Sequence, residues 1–133
     1  MAEKIKNIYQ VRDDFPITDE KYDNWLRKLL NKTEEEVSEN DVCTMLSQHE
    51  FEELAIKKAI DFILADPLAG EMWDGHFLEQ LAKAPLDKLK AHEKVLRKLP
   101  SSIDDRLADS LWDAEVEKEE FMIIYAEFKH ILS

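Results

Sequence analysis

Glycine is nearly missing from this chain: two glycines and four prolines occur in 133 residues. Strand-rich folds turn tightly and tight turns draw on glycine, so the scarcity argues against a sheet protein. It also leaves no glycine-rich loop to cradle a phosphate, and there is no Ser-centred nucleophile elbow. The single Cys43 cannot form an internal disulfide, no Cys-x-x-Cys pair exists, and nothing points to an oxidising compartment. No apolar run approaches the roughly 18 residues that a membrane-spanning helix needs. The stretch Met1-Ala2-Glu3-Lys4-Ile5-Lys6 is charged where a signal peptide carries an apolar core. These absences make a cytoplasmic protein the expectation.

What is present favours helices. Leu, Ala, Glu and Lys abound, all good helix formers, and the 44% apolar content suits a globular domain. Thirty acids against eighteen bases give a formal net charge of −12. That field repels nucleic acid and anionic membranes and attracts a basic partner. Residues 13–41, 50–79 and 104–120 each carry a net −6, whereas residues 82–99 carry +4. The acidic segments either pair with the basic one or leave a concentrated negative face.

Apolar periodicity sets out the elements. Thr18 is the expected cap of a first helix with Asp19 and Glu20 in its first turn, and Tyr22, Trp25, Leu26, Leu29 and Leu30 form one stripe up to Asn31. Ser38 with Asp41 reads as a capping pair for a short helix burying Val42, Met45 and Leu46. The chain should turn near His49 and Glu50. A longer stripe follows, from Phe51 through Leu54, Ala55, Ala59, Ile60, Ile63 and Leu64, stopped at Asp66-Pro67. A breaker-rich connection over 65–75 holds both glycines, Gly70 and Gly75. Phe77, Leu78 and Leu81 mark a fourth helix. A fifth runs through Leu86, Leu89, Val95, Leu96 and Leu99 and stops at Pro100. Ser102 with Asp105 caps a sixth, and Phe121, Ile124, Tyr125, Phe128 and Ile131 share one side of the C-terminal stretch; whether 102–132 forms one helix or two stays open. The expectation is an all-α protein, one domain over 1–133 of about six to seven amphipathic helices, with 1–17 as a loosely packed N-terminal segment.

Chemistry has little to rest on. Glu127 and His130 make one Glu-x-x-His pair, whereas carboxylate-bridged metal bundles need two such pairs plus further glutamates. A nucleophilic Cys43 would need a positive neighbour, and its segment is acidic, so a small buried side chain is the better reading. No metal and no cofactor are expected. Trp25 and Trp112 fit apolar stripes. Trp73, between Met72 and Asp74 on the connection, reads equally as a binding anchor or as a lid on the core.

The run Asp41-Val42-Cys43-Thr44-Met45-Leu46-Ser47-Gln48 is followed in order by Leu54, Ala59, Leu64-Ala65-Asp66-Pro67-Leu68, Gly70-Glu71, Asp74-Gly75 and Leu78. This order resembles the helical immunity proteins of bacterial contact-dependent growth inhibition (CDI) systems. The features are an Asp-x-x-x-x-Leu-x-Gln helix, a long helix ending in an Asp-Pro-Leu turn, an acidic glycine-containing connection and a leucine-rich helix. The likeness covers roughly Trp25 to Leu99 and is strongest from Asp41 to Leu86. It departs where family members often carry a glycine after the Gln helix, since Gln48-His49-Glu50-Phe51 has none; the placement of that turn is left open.

The resemblance implies a protein that neutralises a toxin domain delivered by a neighbouring cell. Such toxins are frequently nucleases, often tRNases, with basic substrate surfaces. It carries no shared catalytic residues, so no enzyme activity is expected. The partner would be the toxin's C-terminal domain, with no direct contact to nucleic acid or membrane. Candidate contact residues are Glu71, Trp73 and Asp74 on the connection, with Asp104, Asp105, Asp109 and Asp113 on the sixth helix; the last three recur every four residues and line one face. Two rival readings remain: an acidic helical adaptor for another protein partner, and a metal enzyme built on a helical bundle.

Overall fold

A computed structural model describes residues 3–69, 75–107 and 115–132. The protein is all-α, and among the described residues no strand forms beyond an isolated bridge between Lys4 and Thr33. The chain divides into two units, Met1–Asp41 and Val42–Ser133.

In the first unit, α1 (Ile5–Ile8) buries Ile5 completely, and the Ile5 amide donates to the Lys32 carbonyl at 2.8 Å. The exposed segment that follows is tethered to α2 (Glu20–Leu30) by polar contacts. Arg27 donates to the carbonyls of Asp13 (2.9 Å) and Phe15 (2.7 Å), and Asn31 and Lys6 each reach the Asp13 carboxylate at 3.0 Å. The cap of α2 is Asp19 rather than Thr18. The Asp19 carboxylate accepts from the Tyr22 amide at 3.1 Å, while Thr18 instead donates its amide to Asp23 at 2.8 Å. An aspartate and a threonine side by side compete for one cap, and the carboxylate is the stronger acceptor.

Along α2 the expected stripe is graded: Leu29 and Leu30 are fully buried, and Trp25 only half so. A 3₁₀ turn over Glu34–Glu36 leads to α3 (Glu39–Gln48). The Ser38–Asp41 capping pair forms as the spacing predicts, each backbone amide donating to the other's side chain at 3.1 Å.

In the second unit, α4 (Glu52–Ala65) is the central helix, packing with α5 (His76–Lys83), α6 (Leu86–Lys90) and α8 (Leu99–Leu107). Ile56 joins Leu54, Ala55, Ala59, Ile60 and Ile63 in its buried set. The helix stops at Asp66, which is extended (φ −153°) because proline follows. Gly75 opens α5 at φ 81°. Its amide donates to the Leu68 carbonyl at 3.0 Å, pinning together the two ends of the connection. A Cβ at Gly75 would lie 2.6 Å from the Phe121 ring, so both conformation and space demand glycine here.

The predicted fifth helix is broken. Within it, α6 ends at Lys90, α7 covers Glu93–Leu96, and α8 begins at Leu99. Pro100 therefore stands in the first turn of α8, where its missing N–H has no intrahelical partner to lose. It opens a helix instead of stopping one, and Ser102 lies inside α8 instead of capping it. The last helix, α9 (Glu115–Ile131), buries Phe121, Ile124, Tyr125 and Phe128 and makes its main contact with α5. The residues joining α8 to α9 lie outside those described.

Candidate partner-binding surface

Of the seven residues singled out in the sequence, Asp104 and Asp105 are placed on α8, both exposed. Asp104 is also structural. The Tyr125 hydroxyl lies 2.7 Å from its carboxylate and 2.9 Å from the Pro100 carbonyl, fastening α9 to the start of α8. Burial, then the hydrogen bond to Asp104 and that carboxylate's charge, push the Tyr125 phenol well above its ordinary range, so it stays a neutral donor. Asp105 is the freer of the two to meet a partner. Glu71, Trp73, Asp74, Asp109 and Asp113 lie outside the described residues.

Among the described residues of the second unit, two recesses bear on a candidate site. One, of about 410 Å³, is floored by Leu86, Leu89, Leu96, Ile131 and Leu132, with Asp87, Lys90, Glu93 and Arg97 around it. The other, of about 370 Å³, is polar and lies against α3 and α5; its wall includes His49, Glu52, His76, Glu79, Gln80 and Lys83. Within it His49 Nδ1 lies 3.2 Å from the Glu52 carboxylate, and Lys83 pairs with Glu79 at 2.9 Å.

Beside the polar recess the fold brings a histidine to the cysteine that sequence neighbours alone left in acidic company. Cys43 Sγ lies 3.8 Å from His76 Nδ1 and 3.9 Å from Gln80 Nε2. His76 comes from another helix, 33 positions away, so no local pattern could have paired them. The Gln80 amide also donates to the Cys43 carbonyl (3.2 Å) and Ser47 Oγ (3.3 Å), stitching α5 to α3. These contacts describe a helix–helix seam. Among the described residues no three His, Cys, Asp or Glu side chains gather as a metal site, and Glu127 and His130 both face outward from α9. No helix among the described residues is long and apolar enough to cross a membrane.

The surface that periodicity could have flagged, and that attention to the buried stripe passed over, is the opposite side of α9. Val116 is 58% exposed and Ile123 62%, seven residues apart, with Met122 at 40% beside them. Glu115, Glu119, Glu120 and Glu127 border this apolar line and are exposed.

A family model described as CDI immunity proteins matches residues 7–99, well over half of the chain, from within α1 to the first residue of α8. Neither a curated protein nor a solved structure matches it. The span includes the Asp41–Gln48 helix, the Asp66-Pro67 stop and Gly75, the turn and cap residues that the fold uses, and the chain belongs to the family of CDI immunity proteins.

Proposed function

We propose that this protein neutralises its cognate CDI toxin in the cytoplasm by binding the toxin's C-terminal domain, and that this domain is a nuclease, such as a tRNase, whose basic substrate surface the immunity protein covers. The observation that carries the reading is a net charge of −12 on a chain of this family. Carboxylates set on rigid helices can occupy the positions that substrate phosphates would take, and the same charges steer a cationic partner into encounter. The protein acts by binding alone, without a cofactor, a catalytic step or a nucleic-acid contact of its own. The contact set includes Glu71, Trp73, Asp74, Asp104, Asp105, Asp109 and Asp113.

Co-expression with the cognate toxin domain tests the whole reading: cells survive and the two proteins co-purify, whereas continued killing refutes it. Charge reversal tests the surface. Asp105→Lys combined with Asp109→Lys and Asp113→Lys should slow association about 10-fold with little change in dissociation, measured by stopped-flow at low salt. Unchanged association would remove these residues from the interface. Asp104 is left intact in that variant because it holds Tyr125.

A further inference from the structure

We propose that the outward face of α9 docks the toxin domain, with Ile123 as the apolar anchor and the bordering glutamates meeting lysines and arginines around it; this rests on the immunity reading above. The geometry is that of a helix with two working sides. One side buries Phe121, Ile124, Tyr125 and Phe128 against the protein. At 100° per residue the centre of the other side runs through Val116, Glu119, Ile123, Ala126 and His130, at steps of three and four. Solvent-facing helix positions ordinarily carry polar side chains, yet Ile123 and Val116 on this line are 62% and 58% exposed, and Met122 at 40% widens it. Such a stripe resembles the apolar centre and polar rim of an interface that forms only on meeting a partner.

The rim chooses the occupant. Among the described residues no cation forms an ion pair with Glu115, Glu119 or Glu120, and of the border only Glu127 feels a lysine, Lys83. Lys129 is turned aside, its ammonium 4.3 Å from the centre of the Tyr125 ring. A second copy laid on this stripe would set Glu115, Glu119, Glu120 and Glu127 against the same four residues, on two molecules each at −12. Nucleic acid and anionic membranes meet the same repulsion. A protein with an apolar depression ringed by lysine and arginine satisfies both the stripe and its border. The family match ends at residue 99, so α9 lies outside the matched stretch.

The test uses the full chain and a catalytically inactivated cognate toxin domain, with kinetics read by surface-immobilised binding and rescue by co-expression. Ile123→Ala should weaken binding about 10-fold, mainly through faster dissociation, and Ile123→Lys by about 100-fold or more with loss of rescue. Leu86→Ala, an equally exposed apolar residue on α6, should change affinity less than about 2-fold. Because Ile123 is exposed, both of its variants should melt within about 3 °C of the parent. If Ile123→Lys binds within 2-fold of the parent, the toxin docks elsewhere and the immunity function stands without this surface. If the parent itself fails to bind, both readings fall. If the parent sediments as a dimer that Ile123→Lys separates, the stripe belongs to self-association and the inference is overturned.

Discussion

Asp41 shows how much one side chain can organise. It is 4% exposed and accepts from Trp25 Nε1 (3.0 Å), from the Ser38 amide (3.1 Å) and from Lys32 Nζ. Burial alone would raise its pKa; the hydrogen bonds from Lys32, Ser38 and Trp25 together outweigh it and hold the carboxyl below its ordinary value of 3.8. A folded-state pKa below the unfolded one adds stability that is present above about pH 4 and lost as pH falls through the folded value. Urea midpoints for the parent and Asp41→Asn should therefore differ most at neutral pH and converge on acidification below pH 4. A gap that widens on acidification would show the sign to be wrong. Removing one donor at neutral pH, as in Trp25→Phe, should cost about 1.5–3 kcal/mol, since the bond goes to a charged acceptor. Gly75 is the second such residue. Gly75→Ala forces a side chain into left-handed backbone and against the Phe121 ring, with an expected loss of about 2–5 kcal/mol in denaturant titration.

At the scale of elements, the corner between α3 and α4 answers the question left by the missing glycine. His49 stands at φ 57°, and the Glu50 amide donates to the Met45 carbonyl at 2.9 Å, the six-to-one bond of a Schellman termination. The turn is made where a glycine would make it, with histidine bearing the strain; Phe51 follows at φ 47°. His49→Gly should raise stability by about 0.5–1 kcal/mol, the relief of the left-handed backbone exceeding glycine's extra chain entropy and the loss of an exposed pair with Glu52. A lower thermal midpoint would count against the strain. The same scale shows why some elements were readable and others were not. Ser38–Asp41 and Asp66-Pro67 are local signals that nothing distant overrides, so the α3 start and α4 stop appear where the spacing puts them. Pro100 carries two local meanings, the end of one helix or the first turn of the next, and the choice falls to tertiary contact: Leu99 and Ile103 are buried together on α8, and the Pro100 carbonyl is held by Tyr125. Ile5 is readable as apolar, but its partner carbonyl at Lys32 is not. For the candidate surface, charge marked out Asp104 and Asp105 as exposed acids, whereas the bond from Tyr125 to Asp104 joins residues 21 apart and leaves no pattern in sequence. Val116 and Ile123 were legible as an outward heptad step once the buried stripe of α9 was assigned.

Across the whole molecule, the proposed reading divides the work of toxin capture between the net charge and the α9 anchor, each acting on its own rate constant. Long-range attraction acts before contact and is screened within about 10 Å at 0.1 M salt and about 3 Å at 1 M. The apolar contact acts only after docking and is nearly indifferent to salt. Association with the cognate toxin domain should therefore slow about 10-fold or more between 20 mM and 0.5 M salt while dissociation changes little. Ile123→Ala should show the reverse signature, faster dissociation with the parent's salt slope preserved. The acidic reversals on Asp105, Asp109 and Asp113 should flatten that slope without hastening dissociation. If Ile123→Ala and the charge reversals instead gave the same signature, steering and anchoring would not be separate properties. An association rate indifferent to salt would leave the −12 charge as a matter of solubility, and the basic toxin surface inferred from it would have no support.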